Sequence, residues 1–107
     1  MTKVFISQPM KDKTNEEIEQ ERQYIIKKVK KYFANIEIID SFFKDAPHDA
    51  KPLWFLGKSL ELLSNADMVI FAKDWEDARG CRIEHECAVQ YGIKLLTFMN
   101  YNDSRRN

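Results

Sequence analysis

The feature that most constrains this chain is the run Met68-Val69-Ile70-Phe71-Ala72, which is apolar throughout. A strand with one face in water alternates polar and apolar residues. A strand covered on both faces reads as a continuous apolar run, and such strands belong to parallel sheets layered between helices. Three further short segments have strand character: Val4-Phe5-Ile6, Ile36 to Asp40, and Lys94 to Phe98.

Helical patterns separate these strands. Thr14 followed by Glu17 is a capping box, in which hydroxyl and carboxylate satisfy the free N–H groups of a helix start. The helix runs to about Phe33, with Ile18, Ile25, Val29 and Tyr32 or Phe33 on one apolar stripe. Its glutamates lie in the first half and its lysines in the second, which suits the helix dipole. A second helix is predicted over about Leu53 to Asn65, with Leu53, Leu56, Leu60 and Leu63 inward. A third runs from Cys81 to about Tyr91 and closes at Gly92.

The alternation β-α-β-α-β-α-β predicts a parallel sheet with helices on both faces. The 107 residues fit one domain, 1–107, with a polar tail from Tyr101 to Asn107. Ligands of such sheets sit beyond the carboxyl ends of the strands. That singles out three loops: Ser7 to Lys13, Ser41 to Pro52, and Lys73 to Gly80.

Composition removes several classes of function. Seventeen Lys and Arg balance seventeen Asp and Glu, so no global field draws polymeric nucleic acid or an anionic membrane. No apolar run approaches a bilayer span, and the chain enters its first strand with no long apolar signal region, which predicts a cytoplasmic protein. Cys81 and Cys87 read as two reduced thiols on different faces of a helix. With His48 and His85 the only histidines, no metal site is expected. Gly57-Lys58-Ser59 has Pro52 where a P-loop needs its first Gly, and no G-x-G-x-x-G occurs. No cofactor is expected.

Two features remain. Arg22 falls on the apolar stripe of the first helix, where it either snorkels, forms a structural ion pair, or aims at an anionic ligand over the sheet edge. The turn Asp74-Trp75-Glu76-Asp77-Ala78-Arg79-Gly80 leads into Cys81-Arg82-Ile83-Glu84-His85-Glu86. Ile83 and Cys87 suit the buried face there, which leaves Glu84 with Ala88 on an adjoining one. In that place Glu84 is either a surface residue serving the helix dipole or a carboxylate pointing into the crevice. The helix N-terminus would keep such a carboxylate ionised, as a nucleophile or a stabiliser of a cation. Glu86 is expected to pair with Arg82 one turn away.

Taken together, Ile6-Ser7-Gln8-Pro9-Met10, the Thr14-x-x-Glu17 helix start with Glu21-Arg22, Asn65-Ala66-Asp67, and Trp75 through Glu84 resemble the nucleoside 2-deoxyribosyltransferase-like superfamily. The likeness is to its short members, related to the 2′-deoxynucleoside 5′-phosphate N-hydrolases, and spans about residues 3 to 97. It implies a flavodoxin-like three-layer sandwich with four or five parallel strands. It also implies cleavage or transfer at the N-glycosidic bond of a small deoxynucleoside or deoxynucleotide. Gly80, Glu84 and Ala88 match the family's catalytic frame, so the nucleophile role falls to Glu84. Ser7, Gln8, Pro9 and Met10 occupy the loop that holds sugar and 5′-phosphate in the family. Asp74 or Asp77 is the local candidate to protonate the leaving base, and Trp75 the candidate ring for stacking. Three positions depart from the family's pattern: Ser59 and Ala78 stand where an Asp is common, and Glu86 where transferases have Gly. The alternatives are a non-catalytic nucleotide-binding module on the same fold and a small α/β regulator that binds protein. The aromatics Phe42, Phe43, Trp54 and Phe55 exceed what one small core needs, which predicts a homodimer or larger assembly.

Overall fold

The computed structural model describes residues 1–97. Its elements are β1 (Thr2–Ser7), α1 (Asn15–Tyr32), β2 (Ile36–Ile38), α2 (Pro52–Leu63), β3 (Met68–Phe71), a 3-10 turn (Trp75–Asp77), α3 (Arg79–Gln90) and β4 (Lys94–Thr97). The four strands form one parallel sheet in the order β2-β1-β3-β4. The chain thus moves outward from β1 in one direction, then crosses to β3 and continues in the other. That reversal between β1 and β3 is where an open α/β sheet leaves a crevice at its carboxyl edge.

The sheet is the middle of three layers. On one face Val4, Ile6, Met68, Ile70 and Ala72 pack with Ile25 and Val29 of α1. On the other, Phe5, Val69 and Phe71 pack with Leu63 of α2 and Ala88 of α3. All four residues of β3 are buried, as the unbroken apolar run requires. The fold is therefore α/β and flavodoxin-like.

Helix α1 begins where its sequence places it. Glu17 N–H donates to Thr14 Oγ1 at 3.1 Å and Thr14 N–H donates to Glu17 Oε1 at 2.8 Å, completing the capping box. Its buried stripe is Ile18, Arg22, Ile25 and Val29, with Phe33, not Tyr32, packed at its end. Helix α3 ends with Gly92 at φ +71°, a left-handed position that glycine adopts without strain, and Ile93 N–H returns to the Ala88 carbonyl at 2.9 Å. Asp67 ties the approach to β3 onto β1: Lys3 N–H donates to its carboxylate, and its own N–H donates to the Lys3 carbonyl, both at 2.8 Å.

Several boundaries differ from the sequence expectations. Strand β2 is three residues long, because the chain turns away after Ile38 and only Ile39 N–H continues the ladder, to Val4. Helix α2 starts at Pro52, whose missing N–H suits a first-turn position, and α3 starts at Arg79, two residues early. The leucine stripe of α2 is only partly inward. Leu63 is buried and Leu60 packs against the core, but Leu53, in the first turn, is 77% exposed. Of the surplus aromatics, Phe42 is buried, Phe43 and Trp54 are half-buried, and Phe55 is exposed. The expected end of β4 at Phe98 and the tail 101–107 lie outside the described residues. Among the described residues no helix is long and apolar enough to cross a membrane.

These placements give α2 two very different ends. Leu63→Ala is expected to lower unfolding free energy by about 2–5 kcal/mol in denaturant titrations. Leu53→Ala, on the same leucine repeat, should change it by no more than about 0.5 kcal/mol.

Candidate functional site

The carboxyl ends of β1 and β3 bring together residues far apart in sequence. Ser7 is the last residue of β1 and fully buried, its carbonyl accepting from Ala72 N–H at 2.9 Å. Its hydroxyl donates to Glu84 Oε1 at 2.5 Å, a short bond of the charge-assisted kind. Glu84 lies in the second turn of α3 and is 7% exposed. Ser59, from the middle of α2, also hydrogen-bonds to this carboxyl group. Three elements, β1, α2 and α3, therefore converge on one acid.

The electrostatics of Glu84 are a contest. Burial pushes its carboxyl above the usual carboxylate range, and the hydrogen bonds from Ser7 and Ser59 pull it back toward ionisation. The helix N-terminus invoked from the sequence is not what governs the group, because α3 begins at Arg79 and burial dominates. Cys81, one turn back, shares the enclosure: burial and the adjacent Glu84 push its thiol up to about 11, against a hydrogen bond with Ser7. A thiol so placed stays protonated and weakly nucleophilic.

The innermost stripe of α3 is Cys81, Glu84 and Ala88, while Ile83 and Cys87 are only half-buried. This reverses the faces expected from hydrophobicity, because a buried acid with two hydroxyl partners replaces an apolar residue. Glu86 and Arg82 are also engaged otherwise than expected. Arg82 Nη1 donates to the Glu76 carbonyl at 2.8 Å, and Glu86 accepts from Gln90 Nε2 at 2.8 Å.

The remaining candidates fall into two groups. Gly80 stands four residues before Glu84 on the same side of α3, and no atom lies within 4 Å of where a Cβ would be. Space for a further carbon is thus open at Gly80, one helical turn from the acid. Pro9 and Met10 are half-buried in the loop after β1, the Met10 carbonyl accepting from Lys13 N–H at 3.2 Å.

The others are occupied or stand apart. Gln8 turns toward α1: its Nε2 donates to the Ile18 carbonyl at 2.9 Å and to Glu21 Oε1 at 2.8 Å, so its amide protons are consumed by the fold. Arg22 is buried against Gln8, Ser41 and the Ile39 carbonyl, so its terminal nitrogens are engaged within the fold. The Trp75 ring is stacked on His85 at 4.3 Å and 14° and packed against Phe71, which removes it as a free platform for a base. Its indole Nε1–H is buried with no partner among the described residues. Asp74, at φ +65°, and Asp77 are exposed, and neither is among the groups acting on Glu84. Among the described residues no group of three His, Cys, Asp or Glu side chains gathers as a metal site.

Sequence reasoning named Ser59 only as a departure from the family's pattern and did not see it as a partner of Glu84, and it missed Ser41 as a partner of Arg22. A small polar residue inside the leucine repeat of α2 was the available signal for the first, and nothing in the local pattern marked the second.

A raised carboxyl is a stability statement with a sign. The folded state holds the Glu84 proton more tightly than the unfolded chain, so wild-type stability falls as pH rises from the unfolded carboxylate range through the raised folded value. Glu84→Gln removes that loss. The variant is expected to be more stable than wild type at pH 7.5, with the difference shrinking toward pH 4, as read from urea midpoints at the two pH values.

No protein-family model matches the chain, and no curated protein does. Among solved structures it is similar to a conserved protein from Enterococcus faecalis V583, with a TM-score of 0.69 and 16% identity. The match covers 91% of this chain and 62% of that one. The likeness lies in the fold: the parallel α/β architecture is shared with a protein of greater length.

Proposed function

We propose that this protein cleaves or transfers the N-glycosidic bond of 2′-deoxyribonucleosides or their 5′-monophosphates, with Glu84 as the nucleophile. The observation that carries the reading is the buried Glu84 carboxyl at the switch point of the sheet, one oxygen held by Ser7 at 2.5 Å. The resemblance to the nucleoside 2-deoxyribosyltransferase-like superfamily supports it, because Gly80, Glu84 and Ala88 fall in that superfamily's catalytic frame.

The chemistry asks little more of the chain. A Glu84 oxygen bonds to C1′ while the C1′–N bond breaks, and the electron pair of that bond leaves with the base nitrogen, which takes a proton from the solvent side. Positive charge developing on the sugar is met by a carboxylate shielded from water, where its attraction is strongest. Water then releases the deoxyribose, or a second base accepts it, and Glu84 is regenerated. The Ser7 and Ser59 hydroxyls hold the carboxylate in one orientation and favour its ionised form against burial. The space open at Gly80 gives a substrate its approach. No cofactor takes part.

The test is free-base release from each deoxynucleoside and its 5′-monophosphate, followed by chromatography. Wild type is expected to release base, and Glu84→Gln to lose kcat/KM by about a thousandfold or more. Activity should fall on the acid side as Glu84 takes its proton. Binding without turnover in wild type would instead mark the chain as a nucleotide-binding module and sink the enzymatic reading.

A further inference from the structure

Arg22 is 4% exposed, yet it takes no part in the ion pairs among the described residues, Lys13–Glu21 and Lys44–Glu19. A buried guanidinium without a paired carboxylate is costly, and burial lowers its pKa, with Asp40 and Glu19 opposing from a distance. Its value lies in where its donors go. Nη1 donates to Gln8 Oε1 at 3.4 Å and to Ser41 Oγ at 3.3 Å, and Nη2 donates to the Ile39 carbonyl at 3.5 Å. Ser41 Oγ in turn donates to the Ile6 carbonyl at 3.3 Å. Ile6 and Gln8 are the residues on either side of Ser7.

We infer that Arg22 is a positioning residue: through Gln8 and Ser41 its Nη1, steadied by Nη2 on the Ile39 carbonyl, grips the chain on both sides of Ser7 and so keeps the Ser7 hydroxyl on Glu84. Each contact is long, so no single bond does this. Their convergence on one tripeptide does. A guanidinium suits the task because Nη1 reaches both acceptors while Nη2, fixed in the same plane, is tied to the Ile39 carbonyl, an anchoring that the single nitrogen of an ammonium does not reproduce. Gln8 is held from the other side by Nε2 bonds to Ile18 and Glu21, so the tripeptide is referenced to α1 at two points one turn apart. The effect of this grip on turnover rests on the reading of Glu84 as nucleophile. The grip itself does not.

The experiment therefore reads Glu84 without substrate. The full chain carries 13C at glutamate carboxyls, the Glu84 signal is assigned by its loss in Glu84→Gln, and its titration is followed. The groups facing that carboxyl are the hydroxyls of Ser7 from β1 and Ser59 from α2, and the Cys81 thiol on α3 itself. Ser7→Ala sets the full effect, an upward shift of the Glu84 titration. Ser41→Ala and Arg22→Lys are expected to reproduce about half of that shift or more, and Ser41→Thr, which keeps a hydroxyl, to titrate like wild type. Should Arg22→Lys fail to fold, Ser41→Ala against Ser41→Thr decides.

The inference is overturned if Ser7→Ala shifts the titration and Ser41→Ala leaves it where it was, or if Ser7→Ala itself shifts nothing. In the base-release assay Ser41→Ala and Arg22→Lys should lose about fivefold in kcat with KM within about twofold, the pattern of a misplaced reacting group, and Ser41→Thr should not. If wild type releases no base, that result strikes the proposed activity alone, and the carboxyl titrations still decide the role of Arg22.

Discussion

The hydroxyl of Ser7 and the carboxyl of Glu84 lie 77 positions apart in sequence and meet in a buried place at the edge of the sheet. Everything near the carboxyl edge of the sheet is arranged around that bond. Removing a carboxylate from water disfavours its charge, and only donors built into the fold restore it. Here the donors are two hydroxyls, from a strand and from a helix. An acid kept in this balance is expensive for stability. Functional sites are where proteins tolerate such groups.

The sheet is what makes the bond possible. β1 and β3 pair in register over Val4 to Ser7 and Met68 to Phe71, so both strands end at the same level. β1 gives Ser7 at that level, and the turn after β3 starts α3 so that its second turn lies alongside. Neither helix face nor strand end would carry Glu84 alone. The two-sided core fixes the height of α2 and α3 relative to the strands, and with it the height of Ser59 and Glu84.

Much of this was legible before any coordinates. The unbroken apolar run of β3, the capping box at Thr14 and Glu17, and the glycine closing α3 are local signals, each with a local cause, and each element forms where they place it. The parallel three-layer architecture follows from their order. What local pattern does not carry is which turns of a helix have a partner. The leucines of α2 repeat as if the whole helix were covered, but only its C-terminal end reaches the core and Leu53 ends in solvent. Glu84 was singled out as an acid able to point into the crevice, but Ile83 and Cys87 were given the buried face, since a hydrophobicity argument favours apolar residues there unless an acid's donors are known. Those donors, Ser7 and Ser59, belong to other elements. Trp75 looked like a free ring on a loop and is instead held between Phe71 and His85, a contact only the folded turn creates.

The thiol of Cys81 beside this acid has a consequence for the kind of reagent the site selects. With its pKa near 11, on the order of one sulfur in ten thousand is ionised at neutral pH. Soft alkylating and oxidising agents find almost no thiolate to attack, while a hard, oxygen-seeking centre finds a carboxylate held by two hydroxyls. Two potential electron-pair donors one helical turn apart thus differ in protonation, and burial keeps the Cys81 thiol a poor nucleophile beside the acid.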